Sequence, residues 1–130
     1  MIVNVNCGNP EKLLYVSPTT FHFPERYILH PMLQVKWIED LLGDIYSHKK
    51  FNSGFFQENM ICITTNSDHI INRLRVARKD KEIENLNFHF IPFDDNKSSV
   101  IIKTDRNGTL SEYPKNFLDE WSNQISQLIL

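Results

Sequence analysis

Met60-Ile61-Cys62-Ile63-Thr64-Thr65-Asn66-Ser67-Asp68-His69-Ile70-Ile71-Asn72-Arg73-Leu74-Arg75 is the stretch that decides the fold class of this chain. Its first six residues are a mainly apolar run rich in β-branched side chains, which suits a central strand buried on both faces of a sheet. After Asn66 the period changes. Ser67 offers a hydroxyl cap, Asp68 sits favourably in a first helical turn, and Ile70, Ile71, Leu74 and Ala77 recur as the inner stripe of a helix. A buried strand that passes into an amphipathic helix is the unit from which α/β domains are built.

Upstream, Pro31 suits the first turn of a helix, where its missing N–H costs nothing, and Leu33, Ile38, Leu41, Leu42 and Ile45 follow at helical spacing. This predicts a helix over 31–48, followed by a polar loop from Lys49 to Asn59. Further back, Met1–Val5 and Leu13–Val16 read as two short strands separated by Gly8-Asn9-Pro10. Ser17 to Pro24, with two prolines and two threonines, reads as a surface connection. Downstream, Leu86–Phe93 and Ser98–Thr104 flank Asp94-Asp95-Asn96-Lys97 as a hairpin, and turn chemistry accounts for the two adjacent carboxylates. Asp105-Arg106-Asn107-Gly108 is a second turn in which Gly108 takes positive φ. Pro114 then leads into a last amphipathic helix built on Phe117, Leu118, Trp121, Ile125 and Leu128. The expected architecture is one layered α/β domain over 1–130, with short parallel core strands, an antiparallel hairpin edge and about three helices.

Composition narrows the classes of function. The 130 residues carry 14 basic and 16 acidic side chains, a formal charge of −2, so no global basic field attracts nucleic acid or an anionic membrane. Apolar residues at 41% and aromatics at 12% are those of a folded globule rather than a disordered chain. The longest apolar runs fall far short of the ~20 residues that cross a bilayer, so no membrane association is expected. Cys7 and Cys62 are too few for a disulfide framework, and no basic-then-apolar leader opens the sequence, which sets the expectation of a cytoplasmic protein with reduced core thiols. His22, His30, His69 and His89 show no zinc-like spacing with either cysteine, so no metal and no cofactor is expected.

Three segments, in order, resemble the C-terminal part of a family of bacterial ATPases of the ABC/AAA type that carry a short conserved C-terminal extension domain of the DUF3696 kind. Ile28-Leu29-His30-Pro31-Met32-Leu33-Gln34 is similar to the segment that opens a helix after the family's Walker B strand. Ile63 to Arg75 is similar to its switch strand and following helix, written in the family as Thr-His-Ser and then Asp-His-hydrophobic-x-Asn-Arg-Leu-Arg. Asn107-Gly108, Tyr113-Pro114, Phe117, Asp119 and Glu120 are similar to its closing Asp-Gly and Trp-Pro-x-x-Phe-x-Asp-Glu segments. By this resemblance, about 24–80 corresponds to the part of the ATPase after Walker B and about 86–120 to the extension.

The sequence also departs from that family. Gly8, Gly43, Gly54 and Gly108 are never followed by lysine, so no Gly-x-x-x-x-Gly-Lys-Ser/Thr cradle for nucleotide phosphates is present. Near the Walker B position Pro24-Glu25 lies one residue further from His30-Pro31 than the family pattern implies, and Phe21, His22 and Phe23 supply no second carboxylate for Mg²⁺. The switch histidine is replaced by Asn66, which hydrogen-bonds but offers no imidazole.

These comparisons define the candidate sites. Asn66, Ser67, Asp68 and His69 form a polar cluster after a buried strand, where open α/β sheets place ligands, and are read either as a vestigial switch or ligand site or as helix capping. Glu25 and His30 mark the vestigial Walker B region. Glu25 is read as a surviving base or, more simply, as a solvated turn residue, and His30 as a helix entrance. Arg73, Arg75, Arg78 and Lys79 crowd one helix as a candidate basic contact face, partly neutralised by Glu82 and Glu84. The leading expectation is a non-catalytic, truncated or degenerate ABC-type C-terminal lobe that engages a protein partner or a second copy of itself. The alternatives are one half of a split ATPase completed by a separate P-loop chain, and a nucleic-acid-binding accessory using the basic helix.

Overall fold

The computed structural model describes residues 1–12, 20–22, 30–51, 60–94 and 96–129. In chain order the elements are β1 (Ile2–Gly8), β2 (Thr20–His22), α1 (Pro31–Phe51), β3 (Met60–Thr64), α2 (Asp68–Lys79), β4 (Asn85–Ile91), β5 (Val100–Lys103) and α3 (Glu120–Ile129). The strands form one sheet in the order β2-β3-β1-β4-β5. β2, β3, β1 and β4 run parallel, and β5 returns antiparallel to β4. This is the expected α/β layering, with a parallel core and a hairpin at one edge.

The centre of the sheet is β1, whereas the sequence pointed to β3. Val3 lies opposite Ile61 on one side and Leu86 on the other, and Val5 lies opposite Ile63 and Phe88. These side chains share one face and are buried with Ile38, Leu42 and Ile45 of α1 and Ile70, Ile71, Leu74 and Ala77 of α2 in a single core. Met60, Cys62 and Thr64 on the opposite face of β3 are only half-buried, so this strand is fully covered on one face and not on both. A sheet covered fully on one side explains why even its central strand alternates apolar and polar residues rather than reading as a continuous apolar run. On the other face Asn4 lies in register with Cys62 and Asn87. Asn87 Nδ2 donates to Asn4 Oδ1 at 3.2 Å, and Asn4 Nδ2 points to Met60 Sδ at 2.9 Å.

Other boundaries differ from expectation for local reasons. Thr20–His22 is a strand inside the presumed connection 17–24 and pairs with β3 at the sheet edge, the position to which neighbouring prolines confine a strand. The expected strand Leu13–Val16 lies outside the described residues. α1 continues past His48 to Phe51, and the remainder of the expected loop, 52–59, lies outside the described residues. The hairpin connection is wider than four residues, from Ile91 to Val100. Asp94 does serve it as expected, its carboxylate accepting from Asn96 N at 2.9 Å, while Asp95 lies outside the described residues. Gly108 has φ 77, as its turn requires, and Asp105 Oδ1 closes that turn by accepting from Asn107 N at 2.8 Å and Thr109 N at 3.0 Å.

The last helix begins at Glu120, not near Pro114. Between them Asn116 and Leu118 adopt φ of 71° and 57°, a left-handed conformation costly for side chains other than glycine. The bend turns Phe117 away from the helix and into the core, where it is 3% exposed. Its ring meets Phe88 and Phe90, each at a centroid distance of 5.5 Å in tilted geometry. Among the described residues no helix is long and apolar enough to cross a membrane.

Candidate functional site

β1 ends on Gly8, whose φ of 100° and crowded surroundings admit no side chain: a Cβ there would lie 2.1 Å from the Ile91 carbonyl oxygen. Because β1 and β3 are parallel neighbours, the end of β1 faces the loop after β3. There Asn66 accepts from Gly8 N through Oδ1 at 2.7 Å and donates from Nδ2 to Gly8 O at 2.8 Å. The residues that follow spend their donors nearby. Asn9 N donates to Ile91 O at 2.8 Å, Glu11 N to Asn9 Oδ1 at 3.1 Å and Lys12 N to Asn9 O at 3.1 Å, while Pro10 has none to offer. Asn66 therefore acts as a clamp between two strand ends. Asn66→Ala is expected to destabilise the fold by about 1–3 kcal/mol, the cost of leaving shielded backbone groups unmade. A urea midpoint equal to that of the unaltered chain would show that the clamp carries no load.

Ser67 caps α2, its Oγ accepting from Ile70 N at 3.3 Å. The same hydroxyl bonds to Gln34 Oε1. The Gln34 and Ser67 segments, separate in the sequence, thus meet through one side-chain bond that ties the start of α1 to the start of α2. His30 stands at the entrance of α1: its carbonyl accepts from Leu33 N at 2.8 Å, and its Nδ1 from Met32 N at 3.1 Å. Its ring nitrogen is used in capping. Glu25 lies outside the described residues.

A cavity of about 400 Å³ opens at the carboxyl ends of β1, β3 and β4. Asn66, Asp68 and His69 stand on one side of it, and Phe93, Asn116 and Leu118 on another, over a lining that includes Cys7, Ile71, Phe90 and Phe117. Three of the four residues of the polar cluster thus share one cavity, while Ser67 is turned to its cap and Gln34. Burial pushes the Asp68 carboxyl above the usual range; His69 counteracts this by attraction, and Asp119 adds to it by repulsion. Burial also pushes the Cys7 thiol up to about 12, so it stays protonated and packs as an inert core group. Among the described residues no group of three His, Cys, Asp or Glu side chains is arranged to hold a metal ion.

The far walls of this cavity were not legible as site residues. Phe90 and Phe93 read as strand residues and Phe117 as a helix position. The strand-to-loop break at Gly8 marked a strand end, but no local pattern indicated which segments would gather beside it.

The basic residues of α2 divide between its flanks. Arg73 bonds to Glu39 at 3.0 Å and Glu82 at 3.1 Å. Burial works against its charge, but the hydrogen bonds and attraction of both glutamates outweigh it and raise its pKa further. Arg75 donates to Gly108 O at 2.8 Å, Asn72 Oδ1 at 3.1 Å and Tyr113 Oη at 3.3 Å, fastening the 105–109 turn to the helix. Arg78 is half-buried, with its Nε shielded and without a partner among the described residues, and Lys79 is exposed.

The family described as a protein of unknown function (DUF3696) matches residues 82–128, the segment that holds β4, β5, the Gly108 turn, the Phe117 bend and nearly all of α3. No curated protein and no solved structure matches the chain. The matched segment supplies Phe90, Phe93 and Asn116–Leu118 to the cavity, and the preceding part of the chain supplies Asn66, Asp68 and His69. This chain is therefore similar to the DUF3696 family over that segment.

Proposed function

We propose that the chain is a non-catalytic α/β module, a degenerate relative of an ABC-type ATPase C-terminal lobe, that acts by binding another protein or a second copy of itself. The observation that carries this reading is the fate of the backbone donors after β1. A phosphate cradle at the end of a central strand needs free N–H groups turned toward the anion. From Gly8 to Lys12 every such group is spent on Asn66, Ile91 or Asn9. The carboxyls of Asp68 and Asp119 near the same end further disfavour a nucleotide.

The chain's surface supports a contact role. Met32, Tyr46, Phe93, Ile101, Tyr113 and Leu128 are all at least half exposed, and four of them are methionine or aromatic side chains of the kind enriched in protein interfaces. The ion pairs of Arg73 and the turn contacts of Arg75 withdraw two of the cations that a nucleic-acid face would use. Calorimetric titration of the purified chain with Mg²⁺ and ATP is expected to give no saturable heat. Tight, Mg²⁺-dependent ATP binding would sink this reading and favour an active nucleotide site.

A further inference from the structure

We propose that the cavity at the carboxyl ends of β1, β3 and β4 receives a basic side chain, lysine or arginine, presented by an extended segment of a partner protein. The proposal rests on the protein-binding reading above and names the chemistry of the partner.

The cavity combines two features that suit such a group. Phe93, half exposed above the buried rings of Phe90 and Phe117, gives it an apolar wall able to cover an aliphatic stem. Asp68 stands at its rim with no hydrogen bond or ion pair to any described residue, and Asp119 adds a second negative charge nearby. A half-buried carboxylate whose burial and repulsion by a second one are only partly offset by His69 is relieved by a cation and made worse by an anion. The usual claim of a helix N-terminus on an anion is already met here, because Ser67 caps Ile70 N and Asp68 itself sits in the first turn.

Its continuation favours a protein segment over a free small cation. Phe93 is 50% exposed and shared with an adjoining cavity of about 250 Å³, lined also by Pro92, Val100 and Pro114. Lys97 and Lys115 stand in that second cavity beside Asp94. Together the two hollows form a groove that is acidic at one end and carries two lysines at the other. It suits a chain whose basic residue is followed closely by an acidic one.

N-acetyl-arginine methylamide and its neutral isostere N-acetyl-citrulline methylamide, titrated separately into the intact chain, test the acidic end. The aromatic proton resonances of Phe93 and Phe117 report occupancy. The arginine probe is expected to shift them saturably, with the citrulline probe weaker by about tenfold or more, as loss of a charge-assisted bond implies. Asp68→Asn is expected to erase that difference, and Phe93→Leu to weaken the arginine probe. Should Asp68→Asn fail to fold, the comparison of the two probes on the unaltered chain still decides. Equal shifts from both probes, or no saturable shift from arginine, would overturn the subsite. That failure is separate from ATP binding, which would overturn the protein-binding reading itself.

Discussion

Gly8→Ala is expected to destabilise the domain by about 3 kcal/mol or more, since it combines a strained backbone with a direct clash. Gly8 has φ 100, and the new Cβ would sit 2.1 Å from Ile91 O and 2.8 Å from Ile91 N, both backbone atoms of the neighbouring strand. Neither atom can move without opening the pairing of β1 with β4. The same movement would break the two bonds of Asn66 and the bond from Asn9 N to Ile91 O. Urea unfolding should show a lowered midpoint, and hydrogen exchange should speed at Asn9 in particular. Gly43→Ala is the control: nothing lies within 4 Å of its Cβ position in α1, and alanine there is expected to stabilise by about 0.5–1 kcal/mol. If both substitutions had the same effect, the close approach of β1 to β4 at Gly8 would be refuted.

Phe88→Ala is expected to cost about 3–5 kcal/mol, a large part of the ~5–15 kcal/mol by which a domain is usually stable. Phe88 is fully buried, lies in register with Val5 and Ile102, and supports the ring of Phe117. Its removal would leave a void beneath a ring already held there by two residues in left-handed conformation. The loss should therefore spread to the 114–119 bend and to the cavity that Phe117 lines. Denaturation would give the energy, and the aromatic resonances of Phe117 would give the spread. A cost below about 1 kcal/mol would mean that the site collapses without a void and that the core is less tightly packed than described.

Much of the candidate site was legible because its parts are local. Ser67 as a cap, Asp68 in a first turn and the stripe of Ile70, Ile71, Leu74 and Ala77 depend on residues three or four apart. Asp105 and Gly108 likewise form their turn within five residues. The roles of Asn66 and Phe117 were not legible, for opposite reasons. Asn66 is polar and followed a buried strand, so it was a fair candidate for a ligand, yet its amide is engaged by a glycine 58 positions earlier. Phe117 fitted the apolar stripe of a helix, yet core burial next to Phe88 and Phe90 outweighed helix continuation and bent the chain on both sides of it.

The sequence by itself determined the α/β class, the parallel core with its hairpin edge, the capped second helix and its inner face, and the lack of a phosphate-binding glycine motif. All of these rest on periodicity, turn chemistry or residue identity, which act over a few positions. Only the tertiary structure decided that β1 is the central strand, that one face of the sheet is fully covered and the other only partly, that Asn66 clamps Gly8, and that Asn66 and Phe117 line one cavity. These features come from strand pairing and core packing between distant segments. Their energies depend on which surfaces meet, and no local pattern encodes the partner.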